Sequence, residues 1–192
     1  MIRWLLAILA ALSPADATAP AERGRVQLPA PPEAMPATEY DDLFALSWTD
    51  GRCTRTTIGP TTVTAAHCVD NKTGWSIDGD RAWIGPEPDW AVNVPRGATI
   101  TAVGYPAATG RTPVAYTLAA LDSQTVTIVT GSFPVLMTLG EGIPCTSGDS
   151  GMMGWVTVDN VRRPVGPMSV FSIDPAVTGL PAGQYVCGFA IA

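Results

Sequence analysis

The sequence predicts an all-β protein built from two strand-rich halves. The first observation is a series of short runs rich in Thr, Val, Ile, Trp and Phe from Tyr40 onward, set apart by Gly, Pro and Asp. LFALSW, CTRTTI, TVTAA, WAVNV and ATITAV fall in the first half. VAYTL, TVTIV, VLMTL, MMGWVTV, VGPMSVFS and YVCGFAIA fall in the second. The second observation is that no long segment keeps the period of an amphipathic helix. The third is a break at GYPAATGRTP, Gly104 to Pro113, which divides the series into comparable parts. The expected division is therefore a β-barrel over 40–104, a linker over 105–111 and a second barrel over 112–192. Any active site is expected in the crevice between them, where both can contribute residues.

Residues 1–17 read as a secretory signal: Arg3 is the basic start, Trp4 to Leu12 the apolar run and Ala15-Asp16-Ala17 the small-x-small cleavage site. That run is shorter than the roughly 20 residues a membrane-spanning helix needs, so stable membrane insertion is not expected. Residues 18–39 are rich in Ala, Pro and Glu and read as a leader or pro-segment. The 192-residue chain has a formal charge of −6 and no cluster of Lys and Arg, which argues against a nucleic-acid partner. Export into an oxidising space makes the four cysteines candidates for disulfides, with the pairing left open by their number. Zinc-type ligand spacing is absent, and no metal or other cofactor is expected.

Three short motifs carry residue types suited to acyl transfer by a serine, which needs a base for its hydroxyl and an acid to orient that base. TVTAAHCVD holds His67, the one histidine of the chain. EPDWAV holds Asp89, and GIPCTSGDSGMMGW holds Ser150 between Asp149 and Gly151. Taken singly, each has a plain reading: a histidine packed at a strand end, a turn carboxylate after proline, and a Gly, Asp and Ser turn. Together they place His, Asp and Ser in order across the two halves.

TAAHC at Thr64 to Cys68, DWAV at Asp89 to Val92 and GDSG at Gly148 to Gly151 resemble the chymotrypsin-like (trypsin-like) serine proteases, in a compact bacterial or viral form. The resemblance implies two antiparallel β-barrels with the site in the cleft between them. It implies His67 as general base, Asp89 as orienting carboxylate, Ser150 as nucleophile, and the Gly148 and Ser150 amides as oxyanion hole. It also implies bridges Cys53–Cys68 and Cys145–Cys187. The stretch from His67 to Asp89 is short for that family and leaves Asp70, Asp78 and Asp80 as fallback acids. The family's second glycine after the serine motif is replaced by Met152 and Met153.

By the same likeness Ile143 lies at the pocket base, with Ser169, Val170 and Phe171 along the substrate-lining strand. A neutral pocket of limited depth follows, with preference for small or medium apolar residues before the cut. A cut at Arg25-Val26 would free an amino terminus for Asp149; Arg162 or Arg163 is the internal alternative. The sequence thus reads as a secreted serine endopeptidase, a monomer acting on proteins or peptides. The alternative is an inactive, protease-like module that binds peptides or proteins. A secreted esterase is disfavoured because its serine would sit in a GxSxG elbow with the acid before the histidine.

Overall fold

The computed structural model describes residues 38–172 and 179–192. The secretory signal, almost all of the leader and the Arg25-Val26 bond therefore lie outside the described residues. The first described element corrects the reading of LFALSW as a strand. Helix α1, Thr38–Leu46, precedes strand β1, Ser47–Thr49. Asp41 and Asp42 near its start favour the positive end of the helix dipole. Tyr40, Leu43 and Leu46 recur every third residue and so share one face. That face finds a buried seam to fill, with Leu43 fully buried.

After β1 come β2 (Thr54–Ile58), β3 (Thr61–Ala65), a single 3-10 turn at Ala66–Cys68, β4 (Ser76–Asp78) and β5 (Arg81–Ile84). They form an antiparallel five-stranded sheet in the order β1-β2-β3-β5-β4. The remaining strands are β6 (Thr99–Gly104), β7 (Val114–Ile128), β8 (Gly131–Glu141), β9 (Met153–Val158), β10 (Val161–Ser172) and β11 (Gln184–Ala190). These close into an antiparallel barrel in the order β10-β11-β8-β7-β6-β9. The all-β architecture of two antiparallel units expected from the sequence is present.

Four local differences have physical causes. Strand β6, expected in the first half, pairs with β7 and β9 and belongs to the closed barrel. The first unit is an open sheet among the described residues, not a closed barrel. VAYTL and TVTIV are one long strand, because LDSQ between them continues the ladder to β8 through a register shift. WAVNV is not a strand: Trp90 turns into the seam while Val92 is largely exposed.

The barrel core gathers Ile100, Leu118, Leu136, Met152, Met168 and Phe189. A second cluster unites the two units: Val63 and Trp83 from the sheet, Val103, Met153 and Trp155 from the barrel, and Tyr40 and Leu43 from α1. Met152 and Met153 thus send successive side chains to opposite sides, one into the barrel core and one into the seam. Asp42 of α1 also pairs with Arg162 of β10. Both bridges form, Cys53–Cys68 and Cys145–Cys187. No helix among the described residues is long and apolar enough to cross a membrane.

Leu43 closes the seam from the helix side with no exposed surface. Replacing it with alanine leaves a cavity between the two units and is expected to cost about 3 kcal/mol. Urea denaturation of Leu43→Ala against the natural chain measures this loss; a cost near zero would show that α1 is not part of the seam.

Candidate active site

His67 lies in the 3-10 turn that ends β3, tied by the Cys53–Cys68 bridge to the start of β2. Its ring nitrogen Nδ1 is 2.7 Å from Oδ2 of Asp80, and its backbone N–H donates to Oδ1 of the same carboxylate at 2.9 Å. The Ala66 N–H donates to the Asp80 carbonyl at 2.7 Å, so backbone and side chain of Asp80 grip the histidine turn together. A carboxylate accepts, so the tautomer with its proton on Nδ1 makes this bond and leaves Nε2 open to accept a proton. Asp80 is fully buried, whereas the His67 side chain keeps 23% of its surface exposed.

Asp80 occupies the second position of the two-residue turn between β4 and β5, with Asp78 opposite Arg81. Gly79 takes the first position at φ +57, a left-handed conformation that glycine adopts without strain.

Asp89 does not reach the histidine. Its side chain is 80% exposed and pairs with Arg163 of β10, because the DWAV segment turns Trp90 inward and leaves the carboxylate at the surface. The expectation that Asp89 orients His67 is therefore corrected: Asp80 holds the ring. Asp70 is also outside, paired with Arg52, and Asp78 pairs with Arg81.

Ser150 sits in the turn that connects Cys145 to β9. Gly148 and Gly151 on either side have φ of +99 and +87. A Cβ on Gly148 would stand 2.4 Å from the Tyr105 carbonyl, and one on Gly151 would stand 2.3 Å from Thr64 Oγ1 and 2.4 Å from the Thr54 carbonyl. Both glycines are thus required by the backbone angle and by close approach. The turn is pressed against the two strands that lead to His67.

Thr54 makes that contact specific. Its N–H donates to the Ser150 carbonyl at 2.9 Å and its hydroxyl donates to the Gly148 carbonyl at 2.8 Å. The same hydroxyl accepts the Tyr105 N–H at 3.1 Å, and the Thr54 carbonyl accepts from the Thr64 hydroxyl at 2.9 Å. The N–H groups of Asp149, Gly151 and Met152 are bonded inside the protein, whereas those of Gly148 and Ser150 have no acceptor among the described residues. The Ser150 hydroxyl and the imidazole make no hydrogen bond with each other in this structure. In free enzymes such bonds are often long and tighten when substrate is bound.

The residues expected to line a substrate pocket divide. Ile143 is 56% exposed on the loop before Cys145. Met168 exchanges backbone hydrogen bonds with Gly151 and Met152, which brings the following residues of β10 to the Ser150 turn. There Ser169 falls at a register shift between Met168 and Val170, and Phe171 pairs with Cys187. Val170 turns away into a buried cluster with Phe133, Val135 and Val186.

Beyond the Cys53–Cys68 bridge lies an open hollow of about 310 Å³, lined by Arg52, Arg55, Asp70, Asn71 and Trp75 among others.

Asp149 is fully buried beneath the turn. Its Oδ2 accepts from the Tyr116 hydroxyl at 2.7 Å and from the Thr146 N–H at 2.9 Å, while Oδ1 has no partner. Burial pushes its pKa up to about 6, against the lowering effect of those two donors. Burial, then the Asp149 charge, raises the Tyr116 hydroxyl. Arg162 and Arg163 are not its internal partners, since they pair with Asp42 and Asp89. Tyr116 takes that place.

No protein-family model matches the sequence, and neither does any curated protein sequence. Solved structures do match in fold. The NS6 protease from murine norovirus 1 superposes with a TM-score of 0.59 at 11% identity, over 82% of this chain and 94% of that one. The Rv3671c protease from M. tuberculosis, in its active form, superposes with a TM-score of 0.55 at 18% identity, over 92% of this chain and 90% of that one. At these identities the likeness establishes the chymotrypsin-like fold.

Sequence reasoning names Asp80 only as a fallback acid and misses Thr54 and Tyr116 altogether. The signal for Asp80 is present in SIDGDRAWI, where a glycine turn separates two short alternating runs and marks a hairpin. Nothing local distinguishes Thr54 or Tyr116, whose partners lie 94 and 33 residues away.

The Asp149 carboxyl holds its proton more tightly folded than unfolded, where it titrates near 3.8. The stabilisation is therefore complete below about pH 4 and is lost as pH rises towards 6, by about 3 kcal/mol at most. Asp149→Asn carries no such titration. Urea denaturation at pH 4 and pH 7 is expected to show the natural chain losing stability relative to that variant as pH rises. A constant difference would contradict the account.

Proposed function

We propose that the protein is a serine endopeptidase in which His67 is the general base, Asp80 its orienting carboxylate and Ser150 the nucleophile. The observation that carries this reading is the bond between His67 Nδ1 and the buried Asp80 carboxylate, at the end of the strand pair on which Thr54 fixes the Ser150 turn. His67 Nε2 takes the Ser150 hydroxyl proton as Oγ attacks the peptide carbonyl. The imidazolium so formed is stabilised by Asp80, which itself stays ionised. The Gly148 and Ser150 amides, which have no acceptor among the described residues, donate to the oxygen that becomes negative. The protonated histidine then gives its proton to the leaving amine, and water releases the acyl group by the same route. The protease character of the superposed NS6 and Rv3671c structures supports this assignment.

The substrates are proteins or peptides with a small or medium apolar residue before the cut, held beside Ser169 and Phe171 of β10 and the exposed Ile143. Two disulfides suit an oxidising compartment, in keeping with a chain exported by its first 17 residues.

Labelling with a fluorophosphonate probe tests the assignment. Ser150→Ala and His67→Ala are expected to abolish it. Asp80→Asn is expected to slow peptide cleavage by about 10³- to 10⁴-fold, through loss of the correct imidazole tautomer. Asp89→Asn should leave it near the natural rate. Labelling that survives Ser150→Ala would remove the nucleophile, and equal losses at Asp80 and Asp89 would remove the acid. Binding of peptides without any labelling would favour the inactive-module reading. Matched peptides varied only before the cut should show faster cleavage after alanine or valine than after arginine; an arginine preference would overturn the pocket reading.

A further inference from the structure

We propose that Thr130, at the tip of the β7–β8 hairpin, is a positioning residue for the His67–Asp80 pair. This inference rests on the endopeptidase reading and makes the closed barrel a contributor to the base as well as to the nucleophile. The hairpin continues the ladder out to Ile128 opposite Gly131, leaving Val129 and Thr130 as a two-residue turn. At that turn the chain reaches the other unit. The Thr130 hydroxyl donates to Asp80 Oδ1, with an oxygen separation of 3.4 Å. A few residues on, Phe133 packs so closely on Gly79 that a Cβ there would stand 2.7 Å from the Phe133 Cβ. The hairpin is therefore seated on the same two-residue turn that presents the acid.

The buried Asp80 carboxylate has three donors: the His67 ring on Oδ2, and the His67 amide and the Thr130 hydroxyl on Oδ1. The two His67 bonds come from the residue being positioned, so Thr130 is the donor that fixes the carboxylate plane from outside the pair. A hydroxyl at 3.4 Å is at the long end of hydrogen bonding, which sets a modest effect. The hairpin itself is stiff, because Val126, Phe133, Val135 and Met137 pack with Val170 and Val186 in one cluster. The neighbouring tip residue Val129 is 79% exposed, so the turn carries little of the folding energy and the hydroxyl can be removed without collapse.

The single histidine of the chain makes the test direct, since its ring Nδ1 proton gives one unambiguous NMR resonance. Thr130→Val is expected to move that resonance and to slow fluorophosphonate labelling of Ser150 about three- to tenfold, the scale of one long, weak hydrogen bond. Thr130→Ser, which keeps the hydroxyl, is expected to restore both, with urea midpoints alike in all three proteins. Natural values of both readouts in Thr130→Val, or a serine variant as impaired as the valine one, would overturn the proposal. If the natural chain is not labelled at all, the endopeptidase reading fails. The resonance alone then decides the role of Thr130: a shift in valine but not in serine supports it, and no shift overturns it.

Discussion

Thr54 joins the two units at the site through its amide and its hydroxyl. Its amide and hydroxyl hold the carbonyls of Ser150 and Gly148, its carbonyl is held by Thr64, and its hydroxyl also takes the Tyr105 amide. Each such bond stabilises by only about 1 kcal/mol net, but leaving a buried partner unmet costs about 1–3 kcal/mol. The register between the Ser150 turn and the strands of His67 is therefore strongly specified. Gly148 and Gly151 follow from it, because no side chain fits where the turn meets Tyr105 and Thr64. The alternation of Met152 into the barrel core and Met153 into the seam fixes the same turn from behind.

Two buried carboxylates flank this junction and are treated differently by their surroundings. Asp80 meets three donors, two of them from the histidine it orients. Asp149 meets two donors on one oxygen and none on the other, and burial raises it to about 6. Burial outweighs those two donors, so the Asp149 carboxyl keeps its proton in mildly acidic conditions.

The fold was legible because strand alternation and turn residues are local signals, and most strands lie where the apolar and β-branched runs put them. LFALSW misled because its apolar residues suit a helix face as well as a strand, and the seam decided between them. TAAHC and GDSG single out His67 and Ser150 only when read together, and both residues lie where the two units meet. Asp89 was chosen on its likeness to a motif, while the hairpin that carries Asp80 went unread: β4 and β5 are only 3 and 4 residues long. Thr54, Tyr116 and Thr130 were not legible at all, because their roles depend on partners brought close by the closed barrel.

The central claim is that Ser150, His67 and Asp80 act as one unit with the Gly148 and Ser150 amides. A crystal structure of the phosphonate-inactivated protein tests it most directly. Phosphorus is expected bonded to Ser150 Oγ, its oxygen about 2.7–3.1 Å from both amides, with Asp80 still holding His67. An adduct on another residue, or a phosphonyl oxygen away from both amides, would contradict it.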